Sequence, residues 1–425
     1  MTVALIDLFS GSGGFSLGFS LCQRAQFVPS LGVDANASAI GSFKENFPTA
    51  KALRKTLAPS MTVNDAYAMY REYVPRGHAG VLLLASPPCE PFSNGASTKR
   101  HVDDQRNYLF RVVLRYAAAT RPLAIVVENV RQMRGLHGGQ MHDELVSCLE
   151  ALAYRVTPML LNAAAFGVPQ RRIRLFYVAV RDDLVDGQPV APDETHTDDA
   201  SIPGLLPFVT VREALGDLPP RGPGSGALSF VSRVDPDAEL RRLGYYAAAM
   251  RVASGERVFH HVSRSIRDTN LKRVRALKPG QALEDLPKRL RPRQGFPGSY
   301  GRMDPNQPAF TLTSNFSNPG SGRYFHYSQD RLISLREGAR IQGFPDRFKW
   351  HGYYEHVAEQ VGDAVPPPLA HAIAHKIAGY LIDAGVVQES DAVGDTHCVF
   401  RHLEVPHPNH VPAKPPQLPI RATVA

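Results

Sequence analysis

Cysteine is scarce in this chain of 425 residues. There are four, at positions 22, 89, 148 and 398, with no CxxC pair and no grouping with histidine at zinc-site spacing. A disulfide-stapled scaffold is thereby excluded, no metal site is expected, and a reducing cytoplasm fits. Long apolar runs are missing too, since no stretch approaches the roughly 18 residues that a membrane span needs. The opening MTVALIDLFS has no cationic segment ahead of its apolar residues, so neither export nor membrane insertion is expected. There is no internal repeat, and the composition is not that of collagen, a coiled coil or a wholly disordered chain. In bulk the chain is ordinary, with 48 Lys+Arg against 40 Asp+Glu, a net charge of +8 and 43% hydrophobic residues. Such a positive excess suits a polyanionic partner, and it equally suits enzymes that never meet one, so motifs must decide.

Apolar runs at 3–9, 27–34, 81–85, 124–127, 155–161 and 173–180 alternate with helix-like segments. They show little period-2 alternation, which predicts buried parallel strands covered on both faces by crossover helices: an α/β, doubly wound sheet. Composition then shifts. Asp, Pro and Gly cluster between 182 and 223, and Lys and Arg recur between 256 and 293, which marks a second, smaller lobe. Apolar helical periodicity returns at 334–343 and 368–384, and the proline-rich stretch from about 389 reads as a loose extension. The expected division is 1–194, 195–327, 328–385 and a flexible tail, 386–425.

After the first apolar run comes AspLeuPheSerGlySerGlyGlyPhe (7–15), a strand, tight turn and helix start in which Gly11, Gly13 and Gly14 let backbone approach a ligand closely. A dinucleotide fingerprint would need glycine at position 16, where Ser16 stands, so a nucleoside without a pyrophosphate fits better. Asp34 ends the second strand about 20 residues on, where a carboxylate accepts the hydroxyls of a ribose such as that of S-adenosylmethionine. Alternatively, the glycines only build a turn and Asp34 only caps the next helix.

SerProProCysGluProPheSer (86–93) follows the apolar run at 81–85, at the carboxyl edge where doubly wound sheets place their chemistry. A lone cysteine is usually a small buried hydrophobe, but Cys89 has polar flanks and a loop position. GluAsnVal (128–130) ends the next strand on the same edge, so Glu128 and Cys89 can flank one substrate, or Glu128 can merely cap a helix. In GlnArgArgIleArg (170–174), strand geometry puts Gln170, Arg172 and Arg174 on one face. Cations so spaced on a buried strand want an anionic or carbonyl partner.

These motifs, in this order, resemble those of the DNA cytosine carbon-5 methyltransferases of bacteria and phages. RMDPNQPAFTLT (302–313) and QVGDAVPP (360–367) resemble the family's two late motifs. The resemblance implies a Rossmann-like S-adenosylmethionine-dependent catalytic domain and a target-recognition domain at 195–327. It implies cofactor contacts from Asp7, Phe9, Gly11, Gly13, Gly14, Phe15, Asp34, Pro87 and Asp363. Cys89, Glu128, Arg172 and Arg174 become catalytic, with Gln170 and Ser93 on the substrate. The thiolate would add to carbon 6 of a cytosine flipped out of double-stranded DNA, while protonated Glu128 hydrogen-bonds ring nitrogen 3, which makes carbon 5 nucleophilic. A monomer in the cytoplasm, associated with the nucleoid and with room for a cognate restriction endonuclease, completes the expectation.

Three departures matter. Asp34 is followed by Ala35 instead of a bulky residue, which shifts adenine packing to Phe15. No acidic motif is recognisable in 52–59. Asp363 stands where the family carries Asn, which leaves a variant sulfonium open as the donor. An RNA-directed relative and a catalytically silent DNA clamp are also compatible with the fold. The long region between the arginine strand and the late motifs argues against the first, and intact Cys89, Glu128 and Arg174 argue against the second.

Overall fold

A computed structural model describes residues 1–88, 108–231, 245–252 and 257–389. Cys89, Ser93 and the expected tail beyond residue 389 lie outside the described residues.

Seven strands form the central sheet: β1 (Val3–Leu8), β2 (Phe27–Asp34), β3 (Lys51–Arg54), β4 (Gly80–Ala85), β5 (Ala124–Asn129), β6 (Tyr154–Asn162) and, after the two-residue β7 (Gln170–Arg171), β8 (Ile173–Arg181). Their order is β3-β2-β1-β4-β5-β8-β6. β1 to β5 pair in parallel, but β8 runs antiparallel to both β5 and β6. The expectation of parallel strands throughout is corrected there. The 163–172 connection is too short for a crossover helix, which takes a dozen residues or more, so the chain can only turn back on itself.

Every residue of β1 is buried, and alternation sends its side chains to two different cores. Val3 and Leu5 pack with α1 (Gly14–Ser20) and α11 (Pro367–Asp383) on one face. Ala4 and Ile6 pack with α3 (Val63–Tyr73), α4 (Phe110–Thr120) and α5 (Gln140–Ala151) on the other. α2 (Ala37–Asn46) starts at Asn36, whose side chain accepts from Ser38 and Ala39 N–H groups. The strand order reverses between β1 and β4, the topological switch point at which doubly wound sheets leave a ligand-binding crevice outside the carboxyl ends of their strands, here β1, β4 and β5.

The rest of the chain builds the short parallel pair β9 (His196–Thr197) and β10 (Leu206–Pro207), α6 (Val211–Leu215), the hairpin β11 (Gly226–Val231) with β12 (Arg257–Val262), α7 (Tyr245–Val252), α8 (Asp268–Arg275), β13 (Ala309–Phe310), α9 (Leu335–Ile341) and α10 (Tyr354–Asp363). Its apolar residues, including Val211, Tyr246, Phe316, Phe325, Ile333 and Trp350, form one cluster with Leu17 of α1, Phe43 of α2 and Phe47 just after α2. That cluster crosses the 327/328 position. β13 also pairs with β7, which ties the late segment to the arginine strand.

α9 differs from its sequence reading as an apolar helix. Arg336, Glu337 and Arg340 are as buried as Leu335 and Ile341, because the charges are paired inside the protein instead of facing water. Among the described residues, no helix is long and apolar enough to cross a membrane.

Candidate active site

The crevice begins where β1 ends. Phe9 adopts φ 57°, a left-handed conformation that a bulky residue rarely tolerates and that concentrates at functional sites. The turn is held by Ser10 N–H donating to Val33 O at 3.1 Å and Gly13 N–H to Ser10 O at 2.9 Å. Asp34 ties it to the end of β2, accepting from Gly11 N–H at 2.9 Å and from Asn36 N–H at 2.8 Å.

The three glycines serve three different ends. At Gly13 (φ 94°) a Cβ would lie 2.5 Å from the Phe47 ring, and at Gly14 it would lie 2.6 Å from Val365 O. Those two permit packing inside the protein. Gly11 (φ 53°) has nothing within 4 Å of its would-be Cβ, so it is the glycine that leaves backbone open to a ligand. Phe15 is corrected more sharply. Its ring is 2% exposed and meets Phe19 and Phe176 edge-on at 5.7 and 6.2 Å. It backs the loop from the core and has almost no surface to offer an adenine, whereas Phe9 is half-buried at the crevice.

Three buried polar atoms of this loop, Asp7 Oδ1, Ser10 Oγ and Ser12 Oγ, have no partner among the described residues. Buried polar groups are normally satisfied, so these fit a polar ligand such as the nucleoside and amino-acid ends of S-adenosylmethionine. Asp7 takes a 2.7 Å hydrogen bond from Ser16 Oγ. Burial still pushes its carboxyl up to about 7, against the Ser16 hydrogen bonds and with some help from the Asp34 charge. A carboxyl whose folded value lies above its unfolded value favours the fold at low pH and loses that contribution as pH rises through about 7. Asp7→Asn should therefore flatten the stability difference between pH 5 and 7.5 in urea melts, an effect on the order of a few kcal/mol at one pKa unit per ~1.4 kcal/mol. An unchanged pH dependence would show that Asp7 is not desolvated as described.

β5 delivers Glu128 to the same edge, 8% exposed. Its Oε1 lies 3.2 Å from Arg174 Nε, and Arg174 Nη1 is anchored on Ile173 O at 2.9 Å. Burial pushes the Glu128 carboxyl above the usual range, and the charges of Arg174 and then Arg172 pull back without cancelling it. Beside it, Asn129 donates from Nδ2 to Pro87 O at 3.3 Å and accepts from Val130 N–H at 2.8 Å. That link fixes Pro87 against the strand end carrying Glu128. Sequence reading assigns Asn129 no role of its own within GluAsnVal. A buried amide at a strand end facing a proline loop is the signal that could have found it.

The arginine strand is resolved into unequal parts. Arg172 is 2% exposed and donates from Nη1 to Leu312 O at 2.9 Å. Burial pulls its guanidinium down to about 9, with the Arg174 charge adding to the pull and Glu128 and Asp363 opposing it, so it stays a cation at neutral pH. Asp363, exposed at the end of α10, thus acts electrostatically on Arg172. The Tyr324 hydroxyl accepts from Thr313 N–H and donates to Thr311 O, both at 3.2 Å, and so frames Leu312. Gln170 is corrected. It is fully buried, donates from Nε2 to Gln342 Oε1 and to Ile341 O, and accepts from Leu312 N–H at 2.7 Å. Its amide is spent on joining β7 to α9 and the 309–312 segment, with nothing left for a substrate.

The model of the family described as C-5 cytosine-specific DNA methylase matches residues 3–379. The chain is 31% identical over 379 residues to the Type II methyltransferase M1.HphI of Haemophilus parahaemolyticus, covering 89% of this chain and 87% of that one. It is 27% identical over 442 residues to the Type II methyltransferase M.AgeI of Thalassovita gelatinovora, covering 88% and 98%. Among solved structures, a prophage-encoded protein of E. coli described as a DNA modification methyltransferase superposes with TM-score 0.65 at 24% identity, over 89% of this chain and 99% of that one. The S. pombe Dnmt2 methyltransferase superposes with TM-score 0.55 at 14% identity, over 90% and 99%. At those identities the likeness to solved structures concerns the fold.

Proposed function

Since the chain belongs to the C-5 cytosine-specific DNA methylase family, and so transfers a methyl group from S-adenosylmethionine to carbon 5 of cytosine in DNA, we propose that Cys89 and Glu128 carry the chemistry on a base flipped out of the duplex. The observation that supports this most is the placement of Glu128: a buried carboxyl kept protonatable despite an arginine at 3.2 Å, beside the proline turn that leads to Cys89.

Carbon 5 of cytosine is too weak a nucleophile to take a methyl group unaided. The Cys89 thiolate adds to carbon 6, forming a carbon–sulfur bond. Glu128 supplies the proton at ring nitrogen 3, which leaves carbon 5 as the electron-rich end of an enamine. Bound S-adenosylmethionine supplies the electrophilic methyl group. Once carbon 5 has taken it, loss of the carbon-5 proton to solvent, departure of the Cys89 thiolate and return of the ring-nitrogen proton to Glu128 restore the aromatic ring. Arg174 orients the Glu128 carboxylate, and Arg172, a cation pinned on Leu312 O, holds the 309–312 segment against the pocket as a positioning residue. Ser93 belongs to the nucleophile loop and is assigned a substrate contact.

The cofactor is assigned to the loop around Gly11, with Phe9 on the adenine, Asp34 at the ribose and Asp7 completing the polar wall. Pro87 and Asp363 are placed at its rim. An Asp363 charge that acts on Arg172 fits the ordinary methyl donor. Residues 195–327 are assigned to target recognition, since a flipped base requires a second surface that holds and reads the duplex. The Type II names of the relatives support a restriction–modification setting, with a cognate endonuclease as partner; a monomeric enzyme in the cytoplasm, at the nucleoid, completes the proposal.

The test is mass spectrometry of nucleosides from unmodified, mixed-sequence DNA and from RNA, each incubated with the protein and S-adenosylmethionine. 5-Methylcytosine should accumulate in DNA and not in RNA, and sequencing should place it at one recurring sequence. Methylation scattered without a recurring sequence would overturn the recognition role of 195–327.

A further inference from the structure

Away from the catalytic crevice, an open cleft of about 500 Å³ is lined by Arg264, Arg267 and Arg273 together with neutral polar side chains, and no carboxylate is among its lining residues. The three guanidiniums are held differently. Arg267 precedes α8, is exposed and has no side-chain partner among the described residues. Arg264 reaches only an exposed partner, Glu355, at 3.1 Å. Arg273 is fixed: Nε donates to Leu290 O at 2.8 Å, Nη1 to Asn270 Oδ1 at 2.6 Å, and the guanidinium stacks 4.9 Å over the Tyr300 ring. Tyr300 itself adopts φ 53°, a strained conformation that the surrounding structure must impose, and its N–H donates to Pro319 O at 2.7 Å.

The cleft is joined to the catalytic crevice by one continuous stretch of chain. Arg172 holds Leu312 O, and Gly362 packs so closely on the next residue that a Cβ would lie 2.2 Å from Thr313 O. The chain then enters the cleft at Asn315. Three residues reach at most about 11 Å, or roughly three steps of 3.4 Å along a DNA strand. An open, cationic groove with no carboxylate among its lining residues, reached within three residues of the segment that Arg172 holds, matches a phosphodiester backbone.

We propose that this cleft holds the DNA backbone a few nucleotides from the flipped cytosine, with Arg264 and Arg267 neutralising phosphates and Arg273 set as a rigid donor. The proposal rests on the DNA-methyltransferase reading above and adds to it the residues that grip the strand.

The test compares full-length wild type with Arg264→Ala/Arg267→Ala and with a charge-matched control, Lys44→Ala/Arg76→Ala, whose exposed residues lie toward the amino edge of the sheet. Binding to duplex DNA is followed by fluorescence anisotropy across a salt series, alongside steady-state methylation and a thermal melt of each variant. The cleft variant should show a log K against log salt slope shallower by about 0.9 for each arginine removed. Its KM for DNA should rise at all sequences while kcat and KM for S-adenosylmethionine hold. Arg264→Lys/Arg267→Lys should restore most of the slope, because the charge is kept. A cleft variant with the slope of wild type or of the control, at an unchanged melting temperature, overturns the proposal. So does loss of inorganic phosphate binding with DNA binding intact, which would mark a small-anion site. Wild type that makes no 5-methylcytosine would instead overturn the functional reading.

Discussion

Replacing Glu128 by alanine is expected to slow methyl transfer by about 10²- to 10⁴-fold, the usual worth of a positioned proton donor, and replacing Cys89 by alanine is expected to abolish 5-methylcytosine formation. Without the thiol no adduct forms at carbon 6, and carbon 5 stays inert. Without the carboxyl the adduct forms with its charge uncompensated at ring nitrogen 3. In the proposed mechanism the working form of Glu128 is protonated. Burial raises its pKa while Arg174 and Arg172 lower it in part, so the protonated fraction falls as pH rises and the single-turnover rate should fall with it. Glu128→Gln keeps a donor at the ring nitrogen but does not titrate. It should be slower than wild type, faster than Glu128→Ala, and without that alkaline limb. An alkaline limb that survives in Glu128→Gln would assign the titration elsewhere, and near-wild-type rates in Glu128→Ala with DNA binding intact would remove the acid role altogether.

The second large effect concerns stability. Arg340→Met should destabilise the protein by about 3–5 kcal/mol, the cost of stranding a buried charge by removing its partner. Arg340 is fully buried and donates to both Asp217 and Asp346, with Nε to Asp346 Oδ1 at 2.9 Å and Nη2 to Asp217 Oδ2 at 3.0 Å. Arg251 lies 2.9 and 3.2 Å from the same two carboxylates. Arg336 spends its guanidinium on the carbonyls of Phe259, Pro345 and Phe348 at 2.7–2.9 Å, so it is a poor substitute. The methionine side chain would fill much of the volume and leave two carboxylates with one close cation. Arg340→Lys should rescue little, because one ammonium cannot serve two carboxylates in the manner of a planar fork. Adding Asp346→Asn alone to Arg340→Met should recover part of the loss, since the one remaining carboxylate, Asp217, is then matched by Arg251 at 2.9 Å. Urea melts that place Arg340→Met within about 1 kcal/mol of wild type would show the network to be dispensable. Because these residues join α6 and α7 to α9, the same melts probe how tightly the segment assigned to target recognition is docked.

The primary structure alone specifies the ladder of strands and the carboxyl edge at which β1, β4 and β5 end, with Asp7 and Glu128 on it. Apolar runs of strand length separated by helical periodicity leave few alternatives, and six of the sheet's strands appear within a residue or two of their expected positions. The family, too, was legible, because reactive side chains at strand ends are local features in a set order. Packing in three dimensions set what local pattern does not encode. β8 reverses because its connection is short. Phe15 and Gln170 are core and linker because the elements packed on them arrive from elsewhere, Phe15 beneath Phe176 and Gln170 against Gln342, far along the chain. The same holds for α9, whose arginines are buried because the Asp217 and Asp346 carboxylates meet Arg340 and the carbonyls of Phe259, Pro345 and Phe348 meet Arg336. Burial of a charge is set by partners that are close in space, and one of them, Asp217, lies 123 residues from Arg340 in sequence.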